Sequence, residues 1–209
     1  MIAIGRRNLL LGATALALVA ACNSAGGAAI SADDVVLGAE NAPITLIEYA
    51  STTCPHCAAF HAEVWDRLKE NYIDTGRVRM VFREFPTPPP AVAVAGFQLA
   101  RCGGASPEQY FVRIGELFRQ QQSMFATGSM EGIRRRLIEI GAAAGLSEEQ
   151  VNECITDTSA GDRIRRISDD SRQFNIQGTP TLILNGRKLE PTPASYDDLA
   201  RAIDAELAR

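Results

Sequence analysis

Histidine is nearly absent from this chain, with His56 and His61 the only two in 209 residues. Cysteine is sparse too, at five, and only one Cys-x-x-Cys pair exists. With no second such pair and no His-x-x-x-His, a four-ligand structural zinc is not expected. Covalent haem attachment fails as well, because Ala58 rather than histidine follows the second cysteine of that pair. A basic excess is also missing: 21 Lys and Arg face 25 Asp and Glu, for a net charge of −4. The single basic run, Arg134-Arg135-Arg136, would point three ways on a helix and reads as a solvated face. That balance argues against a nucleic-acid partner. No tandem repeat is visible, and no apolar run reaches the roughly 20 residues that a bilayer-spanning helix needs.

The close pair is Cys54-Pro55-His56-Cys57. A strand-like run, Ile44 to Tyr49, precedes it, and Ala58 to Trp65 behind it opens a helix. Two thiols at a strand-to-helix junction suit redox chemistry. The free N–H groups and positive dipole end of the helix favour a thiolate on Cys54. A protonated His56 would add positive charge, Pro55 presets the turn, and Cys57 is near enough to close a disulfide. A purely structural bridge here would close too small a loop to restrict the unfolded chain much.

At the N-terminus, Arg6 and Arg7 precede an apolar run from Leu9 to Ala21, a pattern that fits a secretory leader over residues 1–21. Val19-Ala20-Ala21-Cys22 resembles a bacterial lipobox, with Cys22 as the lipidated residue and a membrane anchor. Ordinary secretory cleavage near the same place is the alternative. The Arg6-Arg7 pair fits a twin-arginine signal or any basic leader start. Residues 22–36, rich in Ala, Gly and Ser, read as a flexible tether. Loss of the leader removes two arginines and takes the charge to about −6. Cys102 and Cys154 are then left over, and in an oxidising compartment they are expected to pair. Closing that loop of about 50 residues would stabilise by up to ~4 kcal/mol. A second redox-active pair is the competing reading.

Val78 to Phe85 reads as a strand that ends at Pro86 and Pro88-Pro89-Pro90. From Ala91 to about Asn175 the pattern is helical, with Tyr110, Phe111, Ile114, Leu117 and Phe118 at core spacing. Ser147 to Gln150 forms a capping box. Strand character returns at Thr181 to Leu184, Asn185-Gly186 signals a hairpin, and Tyr196 to Leu207 closes with a helix.

Cys54-Pro55-His56-Cys57, the helical insertion and Gly178-Thr179-Pro180-Thr181 together resemble the DsbA family of thioredoxin-fold thiol oxidases. The likeness runs from about Leu37 to Arg209. It implies an α/β thioredoxin fold with an inserted all-helical subdomain. A first thioredoxin-fold segment would cover 37–88, the insertion 89–174 and a second thioredoxin-fold segment 175–209. The resemblance further implies a cis Thr179–Pro180 peptide against Cys54, with the Thr179 backbone pairing an extended substrate; sequence alone permits trans. Glu48 matches a buried acid that assists proton transfer, the alternative being a glutamate facing water. His61 matches no role and is expected to be partly exposed. The Cys102–Cys154 pair resembles an extra bridge seen in some members. The resemblance implies a periplasmic, monomeric oxidase that needs no cofactor or metal. It would oxidise reduced or unfolded exported proteins and be reoxidised by a DsbB-like, quinone-linked membrane enzyme. An isomerase or reductase of the same fold, or a peptide-binding holdase without turnover, are the competing functions.

Overall fold

A computed structural model describes residues 29–209. The expected leader, Cys22 and the beginning of the tether lie outside the described residues. Five strands form one sheet in the order β1-β3-β2-β4-β5, built from β1 (Val35–Leu37), β2 (Ile44–Ala50), β3 (Val78–Glu84), β4 (Thr181–Leu184) and β5 (Arg187–Lys188). β2 is central, parallel to β3 and antiparallel to β4. The parallel pair requires a crossover, which α1 (Pro55–Leu68) provides, its last turn widening into a π-helical turn at Lys69–Ile73. The β4–β5 hairpin turns at Asn185 and Gly186, whose φ values of 45° and 80° supply the left-handed turn that this dipeptide favours.

The insertion comprises α2 (Pro90–Arg101), α3 (Pro107–Phe125), α4 (Met130–Ala143), α5 (Glu148–Thr156) and α6 (Ala160–Ser171). Capping boxes at Ser106–Gln109 and Ser147–Gln150 start α3 and α5, and Cys102 and Cys154 are joined by a disulfide. The chain ends in α7 (Tyr196–Leu207).

Alternation along the strands gives the sheet two buried faces. Ile44, Leu46, Ala50, Met80, Phe82, Leu182 and Leu184 join one core with α1, α2, α3 and α7. Ile47, Tyr49, Val81 and Ile183 meet Ile167 of α6 on the other. Period two places Glu48 and Glu84 on the first face and Arg83 on the second.

All three side chains are buried; a buried charge needs partners, and Glu84 and Arg83 have them. Glu84 accepts from Arg101 of α2 (2.6 Å), Arg163 of α6 (2.8 Å) and the Tyr110 hydroxyl of α3 (3.0 Å), tying three helices to the end of β3. Arg83 donates to both carboxylate oxygens of Asp34 at 3.0 Å, to the Tyr49 hydroxyl, to the Ala29 carbonyl and to Asp170.

The tether expected over 22–36 is therefore shorter than its composition suggests. Asp34 is held by Arg83 and Asp33 by Arg166, while β1 begins at Val35 and pairs with β3. The alanine-rich composition hid a segment fixed by its two acids together with Ile30, Val35 and Val36, which pack against the two faces of the core. Replacing Asp34 with alanine leaves the Arg83 guanidinium buried with one carboxylate fewer, and the expected loss is about 3 kcal/mol of unfolding free energy. Urea denaturation of the purified domain measures it; a change below about 0.5 kcal/mol would show that Asp34 is not a required partner.

Candidate active site

β2 ends at Ala50, and Ser51, Thr52 and Thr53 carry the chain to Cys54, all three fully or nearly buried. Their hydroxyls fix the turn. Ser51 Oγ lies 3.0 Å from Thr53 Oγ1 and accepts from the Thr87 N–H at 3.1 Å, and Thr53 Oγ1 donates to the Thr87 carbonyl at 2.9 Å. Thr52 Oγ1 donates to the Ala93 carbonyl in α2 at 3.1 Å. Gly96 on the next turn of α2 makes this approach possible, since a Cβ there would sit 2.6 Å from Thr52 Oγ1. From α3, the buried Gln121 amide donates to the carbonyls of Thr52 (2.8 Å) and Cys54 (3.1 Å).

Cys54 is the N-cap of α1, with extended φ, ψ of −86° and 116°, and Pro55 begins the helix. Its Sγ accepts from the Cys57 N–H at 3.3 Å and, as a thiol, donates to the Thr179 carbonyl at 3.3 Å. The Thr179–Pro180 peptide is cis, and the buried Thr179 Oγ1 has no partner among the described residues.

The electrostatics separate the two sulfurs. Cys54 is pulled down to about 5, first by a hydrogen bond from the Cys57 thiol. The Thr179 side chain and the backbone N–H groups of Cys57 and His56 add to this, against burial, which acts the other way. Cys57 is pushed far above the ordinary thiol range by burial, by its hydrogen bond to Cys54 and by the nearby Glu48 charge. Glu48 is 1% exposed, and burial, reinforced by the Cys54 charge, raises it to about 8. Its Oε1 has no hydrogen-bond partner among the described residues. At neutral pH the set is one sulfur that ionises, one that keeps its proton, and a carboxylic acid ready to exchange one.

Every residue singled out from Glu48 through Cys57, together with Thr179 and Pro180, converges on this corner. Glu48 does not face water, because both faces of β2 are covered. The His56 and Pro55 side chains are exposed; the part of His56 that helps to lower the Cys54 pKa is its backbone N–H. Cys102 and Cys154 lie in the insertion, between the end of α2 and α5. The expectation that His61 is partly exposed is wrong. It is 8% exposed, stacked on Trp65 at 4.7 Å and against Phe118 at 5.0 Å. One turn beyond Cys57 it shares the buried face of α1, and α3 covers that face. Gln121 escaped sequence reading because nothing local marks a glutamine that bonds carbonyls nearly 70 residues earlier. The run Ser51-Thr52-Thr53 was a visible signal for the hydroxyl lattice.

Residues 31–205 match the thioredoxin family. A provisionally named protein-disulfide oxidoreductase of Rickettsia typhi is 32% identical over 179 residues, covering 85% of this chain and 63% of that protein. The chain thus spans less than two thirds of that relative. Disulfide bond formation protein D of Bacillus subtilis is 23% identical over 172 residues, covering 82% of this chain and 76% of the other. The crystal structure of Wolbachia pipientis alpha-DsbA1 superposes with a TM-score of 0.74 at 28% identity, covering 86% of this chain and 93% of that one.

Glu48 supplies a signed prediction. Folded, it holds its proton up to about 8, whereas its ordinary value is 4.5. Between those values the folded chain binds the extra proton, so stability falls as pH rises through that window. Glu48→Gln removes the penalty. The variant is expected to match the parent near pH 4 and to exceed it by up to about 4 kcal/mol near pH 8. Thermal or urea unfolding across pH measures this, and a difference independent of pH would show that Glu48 is not held protonated.

Proposed function

The chain is a DsbA-like member of the thioredoxin family, and on that premise we propose that it is an extracytoplasmic thiol:disulfide oxidase that passes the Cys54–Cys57 disulfide to exported proteins. The observation that carries this reading is the opposite displacement of the two thiols, Cys54 down and Cys57 up, beside a neutral Glu48.

The steps follow from those protonation states. A client thiolate attacks Cys54 Sγ of the disulfide, forming a client–Cys54 bond and expelling Cys57 as a thiolate. Burial makes that anion costly, so it takes a proton, and Glu48, protonated at neutral pH, is the adjacent donor. Glu48 then recovers a proton from solvent. A second client thiolate attacks the client sulfur of the mixed disulfide, and Cys54 leaves as the thiolate that Thr179 and the N–H groups of α1 stabilise. The client loses two electrons to gain a disulfide, and the enzyme is left with one thiolate and one thiol. The low Cys54 pKa makes it the better leaving group and favours the reduced enzyme.

That preference is pH-dependent. The depressed Cys54 pKa stabilises the reduced form fully above the ordinary value of 9.0 and loses its effect as pH falls through about 5. Near neutrality it supplies on the order of 2 kcal/mol, allowing for solvent screening. This is less than the ~7 kcal/mol that separates DsbA, at about −120 mV, from thioredoxin, at about −270 mV. The remainder must come from other interactions that favour the reduced form over the disulfide.

The clients are reduced or unfolded exported proteins, engaged in extended form along the Thr179 backbone beside Pro180. A quinone-linked membrane oxidase of the DsbB type returns the enzyme to the disulfide form. Secretion and lipid anchoring through Cys22 would keep a monomeric enzyme at the membrane surface. No described helix is long and apolar enough to cross a membrane.

Equilibration with glutathione buffers tests the direction of transfer. The expected potential of the Cys54–Cys57 pair lies well above about −200 mV, on the oxidising side. A value near about −270 mV would overturn the oxidase reading in favour of a reductase. Cys54→Ser is expected to abolish turnover on a reduced client; retention of its biological activity would instead favour a holdase.

A further inference from the structure

Gln121 is the odd residue on the inner face of α3. Phe111, Ile114, Leu117, Phe118 and Met124 line that face, buried and apolar at helical spacing. Gln121, one turn beyond Leu117 and Phe118, is buried with them at 6% exposed. A buried amide is costly unless it is hydrogen-bonded. Its partners lie far off in sequence: Nε2 donates to the Thr52 carbonyl at 2.8 Å and to the Cys54 carbonyl at 3.1 Å. A carbonyl only accepts, so only the NH2 end of the amide fits there, and its two hydrogens match the two oxygens.

Those oxygens belong to the first and third of three successive peptide groups that lead into α1. The middle one is held as well, by the Cys54 N–H donating to the Ser51 carbonyl at 3.0 Å, and the Cys54 carbonyl also accepts from the Ala58 N–H at 3.2 Å. Because peptide groups are planar, the soft motions left are the φ and ψ rotations between them. Those rotations swing the Cys54 side chain toward or away from the Cys57 N–H, which lies 3.3 Å from Sγ. Pro55 has no N–H to offer in its place. Packing on this side is incomplete, because Thr53, Pro55 and Gln121 line a cavity of about 1000 Å³ between α1 and α3, closed at one end by Pro88 and Pro89. The hydrogen bonds of Gln121 supply the hold that packing does not.

We propose that Gln121 is a positioning residue for thiol–disulfide exchange: from the helical insertion it holds the Thr52 and Cys54 carbonyls so that Cys54 Sγ stays against the N–H groups that open α1. Its bonds go to the carbonyls and not to a sulfur, so it acts through the cap and not on the reacting atoms. The two parts of the fold thus divide the task, α1 supplying the N–H groups and α3 the aim. The proposal rests on the exchange chemistry assigned to Cys54 above, and not on the direction in which electrons flow.

The experiment uses the reduced full chain and the pH profile of Cys54 alkylation by iodoacetamide, read by mass spectrometry on the Cys54 peptide. Gln121→Met keeps an unbranched side chain beside the cavity and removes both donors. The midpoint of its profile is expected about one pH unit above the parent's, a tenfold loss of thiolate stability. Its glutathione equilibrium at neutral pH should move about tenfold toward the disulfide, a fall of about 30 mV. Leu117→Val trims the same face of α3 without touching either carbonyl. It should lower the unfolding temperature and leave both redox readouts within about twofold of the parent. A purely structural role for Gln121 would move unfolding temperatures and neither readout.

An alkylation midpoint in Gln121→Met within about 0.3 unit of the parent's would overturn the proposal. So would a shift in Leu117→Val as large as that in Gln121→Met, since loosened packing would then suffice. The parent's own potential judges the oxidase reading separately. A reducing parent with the tenfold Gln121→Met shift would sink that reading and leave Gln121 in its role, and an oxidising parent without the shift would do the reverse.

Discussion

A negative charge on Cys54 Sγ, held at a helix start in a mostly buried corner, is the state that the surrounding structure serves. The cap position gives the sulfur the Cys57 N–H at 3.3 Å, and the Thr179 side chain in the neighbouring loop also acts to lower its pKa. A nearby ionised carboxylate would undo that arrangement, so the neutrality of Glu48 belongs to the same design. Burial keeps its proton on at neutral pH, and the Cys54 charge reinforces it. Each sulfur also shapes the other: the Cys57 thiol stabilises the Cys54 anion and is thereby held more firmly protonated.

Holding a sulfur in that position requires a backbone that does not relax, and the helical insertion supplies it. Thr52 reaches α2, Thr53 reaches the loop before α2, and Gln121 of α3 clamps the carbonyls of Thr52 and Cys54. The insertion is in turn fixed to the sheet by Glu84, which gathers Arg101, Arg163 and Tyr110. On the opposite face Arg83 binds α6 and the N-terminal segment through Asp170 and Asp34. A buried carboxylate and a buried guanidinium thus sit at adjacent positions on β3, each satisfied by residues from separate elements. Such networks are favourable when every member is paired and costly when one is removed.

The features legible in the sequence were those that depend on neighbours along the chain. The strand before Cys54, the helix start at Pro55, the capping box at Ser147 and the Asn185-Gly186 turn are all local events, and the structure has each of them. Glu48 stood between two readings until the coverage of β2 on both faces settled its burial. Interactions between distant segments were not legible. An alanine-rich stretch looks like a tether whether or not Asp34 meets an arginine 49 residues away. His61, which matches no role, was expected to be partly exposed, and only the packing of α3 on α1 encloses it. The cavity beside Pro55 has no linear signature, since its walls come from two helices and a proline loop.

Titration of the Cys54 thiolate in the reduced chain, followed by its ultraviolet absorbance with Cys57→Ala as a control for the second sulfur, tests the central claim most directly. In the intact chain the ionisation midpoint is expected near 5. It should move upward in the control, because the Cys57 hydrogen bond is the largest contribution to the shift. A midpoint in the intact chain near the ordinary thiol value of about 8.5 would contradict the account, since Cys54 would then be neither a favoured anion nor a good leaving group at neutral pH.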